Sequence, residues 1–261
     1  MARLFDDASS QYLEISKAIV SSYPLTMACW FNSNDLTTGQ TLICIGDTAT
    51  DANFFRLTAQ GNAAGDPLRA QSSSPTANRF WDTTTGYSAN TLHHAAAVFT
   101  SASSLQSFID GDGSGAYGSS ANPTPTGLDT TSIGRRGVLT PIQYMSGHIA
   151  EAGIWNVALT QAEIDLLAAG HPPSDIRPSN LVDHWLSEES SNPEKGLINS
   201  NNMSVIGAIR SNHPRIIRPT AQIISFPTAA APAGRIMSSL ANHGGLAGKG
   251  GLAGQGGGLA S

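Results

Sequence analysis

Along most of the chain the apolar residues come in short runs, separated by Gly, Pro, Ser, Thr and Asn. That spacing predicts strands rather than helices. Residues 25–31 (LTMACWF), 41–46 (TLICIG) and 54–57 (FFRL) are dense apolar runs, as expected for strands at the centre of a sandwich. Residues 91–99 (TLHHAAAVF) and 105–109 (LQSFI) predict a hairpin around 101–104, with Asp110-Gly111 as a tight turn just beyond. Further strands are predicted near 3–16, 132–136, 148–156, 180–186 and 202–208. Residues 62–76 are rich in Gly, Pro and Ser and predict a loop, followed by Phe80, Trp81 and a Thr-rich connection.

One segment breaks the strand pattern. After the apolar strand 148–156, Thr160 and Glu163 have the spacing of a capping box, and Leu159 and Ile164 that of a hydrophobic staple. Ile164, Leu167 and Ala168 then form one stripe at helical spacing. Gly170 and the Pro172-Pro173 pair end it. The expectation is one short helix lying against a two-sheet antiparallel sandwich.

The stretch 147–167 resembles the closing strand and helix of laminin-G-like, concanavalin A-like domains. The resemblance rests on Gly147, Ile149, Glu151, Ile154, Trp155, Asn156, Ala158, Leu159, Thr160, Glu163, Ile164 and Leu167. The opening residues 3–16, the His93-His94 strand (with Leu92 where the family often has Trp) and residues 132–136 are similar to the same family. The resemblance implies an all-β jelly-roll sandwich. It implies no single function, because that family includes lectins, adhesion modules, glycan hydrolases and virion proteins.

Composition sharpens the picture in two places. Charged residues make up 13% of the 261 residues, against about 25% in an average domain, and the net charge is −5. A surface so poor in charge fits a dense β protein with neutral loops. It equally fits a surface buried in an assembly or turned towards glycans. No basic patch supports nucleic-acid binding, and no apolar run is long enough to span a membrane. The two cysteines, Cys29 and Cys44, lie in apolar runs and are expected as buried free thiols. Asp6 and Asp7 stand where an export signal needs an apolar core, so export by the general secretory route is not expected.

The sandwich is expected to occupy residues 1–210, and residues 211–261 to form a Pro- and Gly-rich arm. Leu240, Leu246 and Leu252 recur at a step of six, and Leu259 follows after one extra Gly. Six is a multiple of both two and three, so an extended strand or a threefold polyproline-like helix puts those leucines on one side. The arm is therefore expected to be extended and to anchor the protein to a partner subunit or to copies of itself.

Candidate chemistry is sparse. Hydrolases similar to this fold often carry paired carboxylates on one strand face, a pattern absent here; Glu188 and Glu189 are adjacent and point to opposite faces of a strand. Glu151 is expected to play a hydrogen-bonding role. His93 and His94 diverge as strand neighbours and are expected as core or hairpin residues rather than metal ligands. Asp47 with Asp51, and Asp110 with Asp112, are candidate calcium ligands whose simpler role is turn formation. Otherwise no cofactor is expected. Trp81 and Tyr87 are the candidates for stacking on sugars, with core packing as the alternative. Three functions follow in order: a non-catalytic virion surface protein, similar to phage proteins that join one such domain to an HPRI segment and a Gly-rich tail; a carbohydrate-binding module; and, last, a glycan hydrolase.

Overall fold

The computed structural model describes residues 1–113, 123–187 and 192–212. In chain order the strands are β1 (Ala2–Phe5), β2 (Tyr12–Ile15), β3 (Leu25–Ser33), β4 (Gly39–Gly46), β5 (Phe54–Gln60), β6 (Pro67–Ser74), β7 (Ala77–Gly86), β8 (His93–Ser101), β9 (Ser104–Ile109), β10 (Asp112–Gly113), β11 (Thr130–Ile133) and β12 (Gly147–Trp155). The helix α1 (Gln161–Ala168) follows, then β13 (Leu181–Trp185), β14 (Ser204–Ile206) and β15 (Ile209–Ser211).

The strands form two antiparallel sheets. The first runs β10-β9-β8-β3-β12-β1-β15, with β13 pairing the 152–155 half of β12. The second runs β14-β2-β11-β4-β5-β6-β7. Alternate residues of each strand meet between the sheets: Leu25, Met27, Cys29 and Phe31 of β3 and Ala95, Ala97 and Phe99 of β8 face Ile43 and Ile45 of β4 and Phe55, Leu57 and Ala59 of β5.

β3 and β8 are apolar on both faces because both faces are covered. On the outer face, Ala28, Ala96, Val98 and Phe108 seat Ile164 and Leu167 of α1, together with Trp155 and Leu159. Small residues in the strands let the helix approach closely. Burying Ile164 and Leu167 contributes about 1.5–3 kcal/mol each. The predicted cap is present: Glu163 N–H donates to Thr160 Oγ1 at 3.4 Å, and Thr160 N–H donates to Glu163 Oε2 at 2.8 Å. Gly170 takes φ 95°, and the N–H groups of Gly170 and His171 close on the carbonyls of Leu167 and Leu166. Thr160→Ala should therefore cost about 1 kcal/mol in urea melts; an unchanged midpoint would show that the cap is not limiting.

Three expectations need correction. Residues 62–76 are not a loop throughout, because β6 occupies most of them. Its Leu68 and Ala70 point into the core while Arg69 and Gln71 point out, an alternation masked in the sequence by small residues. The Thr-rich connection after Trp81 belongs to β7, the edge strand. The strand expected over 202–208 is shorter, with β14 spanning Ser204–Ile206, and a further strand, β15, follows Gly207 (φ 73°) in the other sheet.

Both cysteines are buried free thiols. Burial pushes the Cys29 thiol far up and the Cys44 thiol to about 11. The arm from residue 213 on, with Leu240, Leu246, Leu252 and Leu259, lies outside the described residues, as do Glu188 and Glu189.

Candidate functional site

At one end of the sandwich, loops from both sheets line an open cavity of about 410 Å³, within the range of small-ligand pockets. Among the described residues it is lined by Asp7, Thr37, Thr38, Gly39, Asn62, Gln143 and Tyr144. Four separate segments contribute. Asp7 comes from the β1–β2 turn, Thr37 and Thr38 from the β3–β4 turn, and Gly39 opens β4. Asn62 follows β5, and Gln143 and Tyr144 precede β12.

The Thr37–Thr38 turn and the Gln143–Tyr144 segment are pinned. Asp35 accepts hydrogen bonds from Thr37 N–H and Thr37 Oγ1, both at 2.6 Å, and from Thr38 Oγ1. Burial works against the Asp35 charge, but these bonds outweigh it and hold the carboxyl below its ordinary pKa. Gln143 has φ 58°, and its backbone carbonyl accepts from Thr41 N–H at 2.9 Å. Tyr144 leans on Tyr12 with ring centroids 6.3 Å apart, and the Arg135 guanidinium lies 3.6 Å from the centre of the Tyr12 ring.

The Gln143 side chain is oriented from below. Arg56, on β5, is buried, and it donates to Gln143 Oε1 and, at 2.6 Å, to Gln71 Oε1. Gln71 passes the chain on to Asn78 Oδ1 at 2.6 Å. Among the described residues the hydrogen-bond partners of Arg56 are amide oxygens, not carboxylates. Burial, with help from Arg136 and Arg69, lowers its pKa to about 9, which leaves it charged at neutral pH. A guanidinium only donates. Gln143 Oε1 is therefore committed to Arg56, and Nε2 is the end left for the cavity.

Gly39 lines the cavity, and Gln60 lies beside it. Gln60 is 4% exposed, and its buried Nε2 has no hydrogen-bond partner. Gly39 presents a bare face: a methyl carbon built on it would meet Gln143 Nε2 at 2.9 Å, Asn62 Oδ1 at 3.3 Å and Gln60 Oε1 at 3.4 Å. Three polar atoms thus ring the space that a side chain at position 39 would fill. None of these residues stands out in the sequence, because four short segments supply them and no spacing links them.

The two aromatic candidates fare differently. Trp81 is half-buried on β7 and packs against the core. It also lines a second depression with Asn78, Arg79, Phe80 and Asp82, among the described residues. The exposed ring there is Phe80, with the Arg69 guanidinium 3.7 Å from its centre and held by Asp82 at 2.6 and 2.7 Å. Tyr87 does not offer a stacking face. It is 3% exposed, packs edge-on against Phe31 and donates its hydroxyl to Asp35 O at 3.0 Å.

The remaining candidates take structural roles. His93 Nε2 accepts from Ser88 N–H at 3.1 Å, which makes Nδ1 the donor to Asp110 at 2.7 Å. The Asp47 carboxylate accepts from Ala49 N–H and the Asn53 amide. Asp51 accepts from Thr140 N–H at 2.7 Å, and Asp112 from Thr85 Oγ1 at 3.4 Å. Among the described residues no cluster of three or more His, Cys, Asp or Glu has the arrangement of a metal site. Glu151, at a bulge in β12 with φ 51°, hydrogen-bonds His184 Nε2 at 2.8 Å, and both are buried.

The two-sheet architecture places the protein among jelly-roll sandwiches of the lectin type. Residues 7–165 match the laminin-G model of the concanavalin A-like lectin/glucanases superfamily, and the chain belongs to that family. No curated protein matches the chain. Among solved structures, one from Bacteroides ovatus, assigned as a carbohydrate-binding protein, aligns at TM-score 0.57 and 16% identity. That alignment covers 79% of this chain and 58% of the other. The CBM40 module of a Ruminococcus gnavus sialidase, bound to α2,3-sialyllactose, aligns at TM-score 0.53 and 14% identity over 64% of this chain and 98% of that one. A heptameric pentraxin from Limulus polyphemus aligns at 0.50 and 13% identity, covering 62% and 77%. At these identities the likeness is one of fold.

Proposed function

We propose that this domain is a non-catalytic carbohydrate-binding module whose ligand sits in the loop-end cavity. One observation carries the reading: amide, hydroxyl, tyrosine and carboxylate side chains from separate loops line one concave site. Sugars present closely spaced hydroxyls and an apolar ring face, which such a lining matches. The carbohydrate-binding modules among the fold neighbours support the same reading. They give no support to a virion role, and the arm on which that expectation rests lies outside the described residues.

Glycan-array screening followed by calorimetry tests the proposal. Oligosaccharide binding without release of reducing ends is expected, and Asn62→Ala and Tyr144→Ala should each weaken binding about tenfold, near 1.4 kcal/mol. Failure of every glycan to bind would overturn the reading. Turnover of a bound glycan would overturn its non-catalytic part.

A further inference from the structure

Resting on that reading, we infer that the ligand is a linear oligosaccharide that runs from the loop-end cavity across the outer face of the second sheet to a further subsite at Asn78 and Phe80. Two observations place that subsite. The first is a row of side chains. Phe80 on β7 stands opposite Gln71 on β6, and Gln71 stands opposite Arg56 on β5. Their neighbours Trp81, Ala70, Phe55 and Leu57 pack into the core, so Phe80, Gln71 and Arg56 all face outwards. Arg56 in turn reaches Gln143 in the cavity lining. The cavity and Phe80 thus share one face of the sheet, and β7 lies two strand spacings, about 10 Å, from β5. A short sugar chain spans that distance, and a single ring does not.

The second observation is what Phe80 and Asn78 present. Phe80 is 44% exposed although the Arg69 guanidinium, 3.7 Å from its ring centre, covers one face. Asp82 holds that guanidinium through two bonds of 2.6 and 2.7 Å, which neutralise its charge and fix the backing of the ring. A backed aromatic ring on an otherwise polar face offers a flat seat to the apolar face of a sugar. Asn78, two residues away on the same face, is exposed, and its Oδ1 accepts from Gln71 Nε2. Nδ2 is therefore the end left for a ligand. The direction of this chain is set at Arg56. A guanidinium only donates, so Gln71 and Gln143 both turn their oxygens to it. Gln143 Nε2 and Asn78 Nδ2 then stand as oriented donors at the two ends of the row, matching hydroxyls that recur along a sugar chain.

The experiment is calorimetry on length ladders, from monosaccharide to hexasaccharide, of β-1,4-galactan, xylan and β-1,3-glucan. The full chain is compared with Phe80→Ala, Asn78→Asp and Gln71→Glu. Affinity for a binding ladder should rise at least about tenfold between the disaccharide and the longer members. Phe80→Ala should remove most of that gain and leave the disaccharide unchanged, whereas structural damage would weaken both. Asn78→Asp keeps the acceptor for Gln71 and deletes only the donor, so it should act on the same long members. Gln71→Glu hands Arg56 a carboxylate and takes the proton from Asn78. It should lower long-chain affinity while melting no lower than wild type. Affinity that does not rise with length, or binding confined to short glycans on the array, would overturn the inference and leave the carbohydrate reading standing. A gain that survives Phe80→Ala and Asn78→Asp would also overturn it, and one untouched by Gln71→Glu would overturn the part given to the Arg56 row. Binding of no ladder and of no glycan on the array would sink the inference and the carbohydrate reading together.

Discussion

Glu194→Ala is expected to cost about 3–5 kcal/mol, the range for removing one partner of a buried ion pair. Glu194 is 1% exposed and Arg3 3%, and the guanidinium donates to Glu194 Oε2 through Nη2 at 2.7 Å and Nε at 3.0 Å. The pair joins β1, at the start of the chain, to a segment that follows the helix. Glu194 also exchanges backbone hydrogen bonds with Met203 at 2.9 and 2.8 Å, just before β14. Alanine would leave a buried cation without its carboxylate. The charge is what makes the loss large, so Arg3→Met with Glu194→Met should recover most of the stability lost by the single change, since apolar replacements of a buried pair are often neutral. Urea denaturation of the three variants decides the matter. A single-variant loss below about 1 kcal/mol would show that water reaches Arg3 and that the closing segment is only loosely attached.

That ion pair also marks where sequence reasoning stopped. The central strands and the helix were legible because their signals are local: dense apolar runs in β4 and β5, a capping box at Thr160 and Glu163, a glycine stop at Gly170. The partition of strands between sheets was not. Residues 3–16 hold two strands with a turn between them, and β1 and β2 lie in different sheets. Nothing in the local pattern separates Arg3, which finds Glu194, from Glu14, which pairs with Arg135 on the other sheet.

The site was less legible still. Aromatic residues draw attention as sugar platforms, yet Tyr87 is needed in the core and Trp81 is half spent there. The cavity depends instead on Gly39, Asn62 and Gln143, common residues in polar turns. Their meaning comes only from convergence and from the buried Arg56 that orients one of them. Arg56 itself sits in a strand whose apolar neighbours suggested plain core.

Stability should fall by about 3 kcal/mol as the pH drops from 6.5 to 4, through His94. This residue is 1% exposed on β8, edge-on to Trp30 at 5.4 Å, and its buried Nδ1 has no hydrogen-bond partner. Burial lowers its pKa from 6.5 to about 4; the Asp110 carboxylate pulls in the other direction and loses. For a base depressed in this way the sign is fixed. Between about 4 and 6.5 the unfolded chain binds a proton that the folded chain refuses. The stabilising contribution is therefore complete above pH 6.5, declines as the pH falls and is exhausted near 4. Asp110 is itself held below the ordinary carboxylate range: burial opposes its charge, but bonds from His93 and the His94 N–H prevail, so its own loss comes at still lower pH. The two groups act in successive windows. Urea melts of wild type and His94→Gln at pH 7.5, 5.5 and 4.5 separate His94 from the other histidines, which are present in both proteins. The gap between the two stabilities should change by about 3 kcal/mol across the series, with wild type losing ground at each step. A constant gap would mean that the His94 ring finds a proton acceptor in the folded state and is not held neutral by its burial beside Trp30.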